Sequence, residues 1–258
     1  MNTLDKIIGR IKPLDAEAME QARLRQDRLT KTRGSLGRLE ELSIQIAGIT
    51  AQPIPGLNHK AILTMAADHG VTAQGISLYP AEVTRQMVLN FLEGGAAINV
   101  LSRMTGARVI IVDMGVRGGL PAGGGITCNP IAPGTMDMST GPTMTRGQAL
   151  DCLLAGIGIV EKEIKNGLDI LGTGDMGIGN TTSASAITAV ITEQPVLEVT
   201  GRGTGIDDAQ LAHKVKIIQR SLAVNRPDPT DAIDVLEKIG GFEIGDRKST
   251  RLNSSHRL

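Results

Sequence analysis

The chain has 258 residues, is 41% hydrophobic and balances 27 basic against 27 acidic side chains, which is enough apolar content for one large core or a large core with a small satellite domain. Zero formal charge leaves no electrostatic footprint for nucleic acid or an anionic membrane surface. With only three aromatics, Tyr79, Phe91 and Phe242, side chains cannot assemble a stacking platform for single-stranded bases.

Taken in chain order, residues 15–31 and 35–49 carry apolar positions at helical spacing, opened by the capping residues Asp15 and Ser35. A helical hairpin is predicted there. Residues 60–67 (KAILTMAA) read as a buried strand, followed by helical patterns over 80–92 and 95–105 and by a second strand from Arg108 to Asp113. Residues 114–144 are rich in Gly, Pro and Thr and predict a long irregular segment; 146–166 is a helix, Leu168 to Leu171 a third strand, and 181–192 and 207–223 further helices. Alternating strands and helices predict a Rossmann-like parallel sheet with helices on both faces, its ligands bound beyond the C-terminal strand ends. The N-terminal helices add a small helical domain.

The division expected is 1–58 for the helical segment, 59–245 for the α/β domain and 246–258 for a tail. That tail, DRKSTRLNSSHRL, is polar, basic and without periodicity, and it resembles a translated sequencing adapter; without it 23 basic residues face 26 acidic ones, a net charge of −3. Cys128 and Cys152 lack metal-ligand spacing, no HExxH, CxxC or nucleophile-elbow pattern occurs, and the charged N-terminus has no apolar signal core. The longest apolar run, Cys152 to Val160, is about half of what a bilayer span needs. A cytoplasmic protein without metal, cofactor or membrane segment is expected.

Chemistry concentrates in the glycines. The stretch Leu171 to Ser185, LGTGDMGIGNTTSAS, reads as a strand-to-helix loop whose backbone amides reach an anion unobstructed by Cβ atoms, with the helix N-terminus aimed at the same place. Asn180, Thr181, Thr182 and Ser183 add side-chain donors, together a phosphate cradle. Gly172, Gly174 and Gly177 also satisfy GxGxxG, so a nicotinamide-dependent oxidoreductase is the rival reading, and a turn needing glycine for geometry alone is the bland one. A second glycine run, Thr200 to Asp208, leads into the helix of Lys214, whose ammonium either reaches back to a phosphate or simply lies on an exposed helix face. Asp68-His69-Gly70 closes the first strand; adjacent side chains of an extended segment point apart, so His69 is a structural histidine or a general base, not one half of an assured pair.

The segments Gly34 to Glu40 (GSLGRLE), Ala67 to Val71 (ADHGV), Glu82-Val83-Thr84 with Gln86-Met87-Val88, Gly94 to Val100 (GGAAINV) and Gly174 to Thr182 (GDMGIGNTT) resemble, in order and spacing, the nicotinate-nucleotide:dimethylbenzimidazole phosphoribosyltransferase family over residues 1–245. The resemblance implies a two-domain α/β subunit, a homodimer, and transfer of a phosphoribosyl group from nicotinate mononucleotide to 5,6-dimethylbenzimidazole, giving α-ribazole 5′-phosphate for cobalamin. It implies that Gln86, with Leu78 and Met176, lines the benzimidazole pocket, and that Gly177, Asn180, Thr181, Gly203 and Lys214 hold the donor's phosphate and ribose. Asp175 stands where relatives usually have Glu, as a supporting catalytic candidate, and Arg33 stands where they often have proline. The family's catalytic glutamate belongs to a C-terminal third that has no counterpart here, and Glu243 is not its equivalent. The expectation is therefore a truncated, inactive chain whose incomplete sheet leaves an unpaired edge; a non-catalytic binder of a benzimidazole or its riboside is the remaining alternative.

Overall fold

The computed structural model describes residues 3–121 and 125–247. Gly123, Gly124 and the tail from Lys248 onward lie outside the described residues.

After a short α1 (Thr3–Ile8), α2 (Ala16–Arg28) starts where the sequence places it, because the Asp15 carboxylate accepts the Ala18 amide at 2.8 Å and satisfies an otherwise orphaned N-terminal donor. The predicted cap of the next helix is wrong. Helix α3 (Arg38–Thr50) begins after Gly37, with no side-chain cap. Positive φ at Gly34 and Gly37 (75° and 52°) turns the chain on both sides of Ser35, which cannot then adopt the extended entry a capping serine needs. Glu40 supports that turn instead, accepting the Leu36 amide at 3.1 Å and the Lys31 ammonium at 2.8 Å.

Four parallel strands follow in the spatial order β3-β2-β1-β4: β1 Lys60–Ala67, β2 Ala107–Gly115, β3 Ile126–Cys128 and β4 Ile170–Met176. β1 is central and nearly all buried, as a near-continuous apolar strand covered on both faces must be. Between β1 and β2 come a 3₁₀ turn (Gly70–Gln74), α4 (Glu82–Leu92) and α5 (Ala97–Thr105). Then α6 (Arg146–Lys165) leads into β4, and α7 (Asn180–Thr192), α8 (Val196–Val199), α9 (Asp208–Asn225) and α10 (Ala232–Ile239) complete the named helices. Residues 242–247 add a further helical turn, so the tail does not start at 246 as the sequence reads: Asp246 is 0% exposed and Arg247 pairs with Asp175.

The period of two divides the core. Leu63, Met65 and Ala67 of β1 with Val112 and Met114 of β2 pack against Ala149, Leu153 and Val160 of α6 and against Phe242. Ala66 and Ile111 face Val88 of α4 on the other side. A third cluster, with Ala186, Ile217, Ile218 and Ile239, binds α7, α9 and α10 to the 3₁₀ turn.

Two further expectations are corrected. The irregular stretch 114–144 contains β3, a short edge strand in parallel register with β2 (Ile111 opposite Ile126), and its remainder is clasped by Asp68, which accepts the Arg117 amide at 2.8 Å, while the Arg117 side chain donates to the Pro133 and Thr135 carbonyls. The third strand is longer than Leu168 to Leu171 and is shifted, running to Met176 with Gly172 opposite Ile62 and Gly174 opposite Thr64. Both glycines are strand residues. A Cβ on Gly172 would press on the Ile62 side chain at 3.3 Å, so packing between adjacent strands, and not an anion, explains this glycine.

Candidate functional site

The C-terminal ends of β1 and β4 and the first turn of α7 meet at one corner. From Met176 the chain turns through Gly177-Ile178-Gly179, and a Cβ at Gly177 would lie 2.3 Å from the Ala67 carbonyl oxygen; only glycine lets the loop rest on the end of β1. Thr84, buried on α4, accepts the Ile178 amide at 3.0 Å. α7 then starts at Gly179 without a side-chain cap, leaving its positive end open toward the neighbouring cavity.

The second glycine run closes the other wall. Gly203 has φ +56°, and a Cβ there would meet Thr181 Oγ1 at 3.0 Å and Lys214 Nζ at 3.4 Å. Thr204 Oγ1 lies 3.3 Å from Ser77 Oγ and accepts the Leu78 amide at 3.4 Å. Between the walls is a cavity of about 180 Å³ lined by Ile76, Ser77, Met176, Gly177, Asn180, Thr181, Thr204 and Lys214, among others. That is below the roughly 300–1,000 Å³ of a drug-sized ligand site, so this conformation suits a phosphate with part of a sugar.

Lys214 is the most telling side chain here. It projects from the second turn of α9, is 1% exposed, and donates to Thr181 Oγ1 at 2.9 Å and to the Gly201 carbonyl at 3.2 Å. Among the described residues it makes no ion pair, and burial holds its pKa below the ordinary lysine value. An ammonium kept dry between a hydroxyl and a carbonyl is costly. An oxyanion in the cavity would offset that cost.

Sequence reasoning places most of its candidates together. Met176, Gly177, Asn180, Thr181 and Lys214 share the cavity, and Gly203 adjoins it through Thr181 and Lys214. Leu78 is 50% exposed just beyond Ser77, and Gln86 is exposed on α4; neither lines the cavity. Asp175 stands at the rim, where its Oδ2 accepts from Asn180 Nδ2 at 2.5 Å and its Oδ1 pairs with the Arg247 guanidinium at 2.6 Å. The residues missed are Thr84, Ser77 and Thr204. Thr84 belongs to the EVT segment and Thr204 to the second glycine run, so both had a signal, but hydroxyl roles depend on what a loop meets in space.

His69 is the structural histidine of the two readings. It is fully buried, with Nε2 2.7 Å from Glu243 Oε1 and Nδ1 3.3 Å from Ser183 Oγ. Burial works against its charge, yet the charge and hydrogen bond of Glu243, with Asp68 and Asp175 beyond, hold the imidazole pKa above its ordinary value. Glu243 is itself 0% exposed and faces His69 instead of the cavity.

Among the described residues no three His, Cys, Asp or Glu side chains gather as a metal-holding group. The cavity offers hydroxyls, an amide and an ammonium, a donor set for an oxyanion. The dinucleotide reading loses its structural basis, because a GxGxxG fingerprint requires its first two glycines in the turn after the strand, and here they lie within it. No helix of the described residues is long and apolar enough to cross a membrane.

Comparison with known proteins agrees with this geometry. A family model described as phosphoribosyltransferase matches residues 11–253. The nicotinate-nucleotide–dimethylbenzimidazole phosphoribosyltransferase of a Roseiflexus species is 55% identical over 257 residues, covering 100% of this chain and 73% of its own length. The protein of the same name from Desulforudis audaxviator is 56% identical over 245 residues, or 95% of this chain and 69% of the relative. Among solved structures, CobT from Thermus thermophilus superposes with a TM-score of 0.87 at 42% identity, covering 92% of this chain and 71% of that one.

Proposed function

The chain belongs to the nicotinate-nucleotide–dimethylbenzimidazole phosphoribosyltransferase family, and from that premise we propose that it moves the phosphoribosyl group of nicotinate mononucleotide to 5,6-dimethylbenzimidazole, in assembly of the cobalamin lower ligand. One ring nitrogen of the benzimidazole attacks the anomeric carbon, the glycosidic bond to the pyridinium breaks, and nicotinate leaves with that electron pair. The other ring nitrogen gives up its proton to a carboxylate. The leaving ring departs neutral at its nitrogen, so no pyrophosphate charge has to be neutralised by a metal ion, and positioning supplies much of the rate.

The residues carry this unequally. Lys214, Thr181 and the first turn of α7 take the phosphate, with Gly203 kept bare so that the second glycine run approaches both side chains. Gly177 and Asn180 stand toward the ribose, and Met176 toward the reacting bases. Asp175, at the C-terminal end of β4 and steadied by Asn180, supports the proton transfer. Leu78 and Gln86 supply an outer wall for the acceptor base. A small helical domain over 1–58, an α/β domain over 59–245 onto which Asp246 and Arg247 still pack, a cytoplasmic setting and a homodimer complete the proposal. The paired helices α2 and α3 favour the first of these.

The single observation behind the reading is the buried Lys214 ammonium that faces only neutral oxygens. Calorimetric titration of the chain with nicotinate mononucleotide and with nicotinate riboside tests it. The nucleotide is expected to bind at least tenfold more tightly, and the difference to vanish in Lys214→Met. Equal affinity for the two ligands would overturn the phosphate assignment, and preferential uptake of NAD would revive the dinucleotide alternative.

A further inference from the structure

Next to the cavity but not lining it, the imidazole of His69 is enclosed by the loop that the nucleotide is read to touch. Cβ atoms added at Gly177 and Gly179 would stand 3.3 Å from His69 Cδ2 and 3.1 Å from His69 Cβ, and one at Gly241 would come within 2.5 Å of His69 Cε1 and 2.7 Å of the Glu243 carboxylate. The ring thus has loop backbone on one side and the 241–243 segment on the other. Its two nitrogens are both engaged: Nε2 with Glu243, and Nδ1 with Ser183 in the first turn of α7. Ser183 Oγ also lies 3.4 Å from the Gly240 carbonyl.

Three separate pieces of chain therefore meet on one imidazole: the end of β1, the Gly177 to Ser183 turn, and the 240–243 segment. We propose that His69 and Glu243 form a positioning pair for the nucleotide site, setting the Gly177–Gly179 loop and the start of α7 without touching substrate. The inference rests on the phosphoribosyl reading of the cavity. Its physical basis is the stiffness of a fully buried, directly hydrogen-bonded imidazole–carboxylate pair. Glu243 Oε2 has no hydrogen-bond partner among the described residues, so the carboxylate depends on His69, and losing either member strands the other. Relief comes only by moving the loop or the 241–243 segment to let in water, and the loop carries the amides and hydroxyl that face the phosphate. The same loop is also held by Thr84, which accepts the Ile178 amide at 3.0 Å, so the loop is fixed at more than one point.

Two readouts on the whole chain test the pair. Hydrogen exchange of the 176–183 segment, measured against the β1 segment 60–67, is expected to speed up at least tenfold more in His69→Gln than the β1 reference does. The dissociation constant for nicotinate mononucleotide is expected to rise at least tenfold. The double variant His69→Gln/Glu243→Gln, two amides able to hydrogen-bond with no stranded charge, recovers part of both losses. If His69→Gln does not fold, Glu243→Gln serves in its place, since its amide oxygen still accepts from Nε2. Exchange at 176–183 that rises only in step with β1, or donor affinity unchanged in a folded variant, overturns the proposal. A wild-type chain that takes up no donor, while loop exchange still responds to His69→Gln, refutes the phosphoribosyl reading and leaves the loop-positioning role standing.

Discussion

Two buried basic side chains lie near the Gly177–Gly179 loop, and they differ in what meets them. His69 is matched by a carboxylate at 2.7 Å and does not line the cavity; Lys214, 1% exposed but lining the cavity, donates among the described residues to Thr181 Oγ1 and the Gly201 carbonyl. A matched buried charge can serve the architecture alone, whereas an unmatched one lining a cavity is available to an oxyanion. A third group shows another outcome. Asp246 is 0% exposed, and desolvation, with the Glu243 charge adding to it, pushes its carboxyl up to about 7; it meets burial by keeping its proton.

The largest effect is expected at the matched centre. Glu243→Leu leaves the imidazole without its counter-ion and is expected to cost about 3–5 kcal/mol of folding stability, read from urea denaturation near pH 7. A loss below about 1 kcal/mol would mean that the pair is not a structural anchor.

Asp246 is expected to give an effect of similar size with a sign set by pH. Its folded pKa is raised, so its full contribution is present below about pH 4 and is lost as pH rises toward 7, a span worth about 4 kcal/mol. The raised pKa of His69 acts in the same direction, its stabilisation fading as pH climbs through the folded value. Asp246→Ala is expected to be more stable than the parent at pH 8 and to lose most of that advantage at pH 4. Thermal melts at the two pH values check it; an advantage that does not change with pH would point to packing instead of charge.

At the unmatched centre the loss falls on affinity. Lys214→Met is expected to weaken nicotinate mononucleotide binding by about 2–3 kcal/mol, roughly 30- to 150-fold, with thermal stability held or improved because a desolvated ammonium is gone. A fall in stability with affinity intact would reverse the roles assigned to the two centres. The smallest expected effect is at Ser35. Since Gly37 and not Ser35 precedes α3, Ser35→Ala is expected to change stability by less than about 0.5 kcal/mol, where loss of a true N-cap costs about 1 kcal/mol.

What the sequence determined by itself was whatever depends on neighbours along the chain. Periodicity locates β1 and the body of every long helix, Asp15 caps α2 as read, and the GDMGIGNTT and lysine-bearing segments mark the corner where Asn180, Thr181 and Lys214 meet. These follow from local geometry and from resemblance in order and spacing. Tertiary structure decided the rest. Whether Gly172 and Gly174 belong to a loop or a strand depends on whether β1 lies alongside with Ile62 needing the space. Whether His69 is a base or an anchor depends on Glu243, 174 residues away in the chain. Charge pairing and close packing act through space, so a local pattern names the participants without saying which of them the fold will bring within 3 Å.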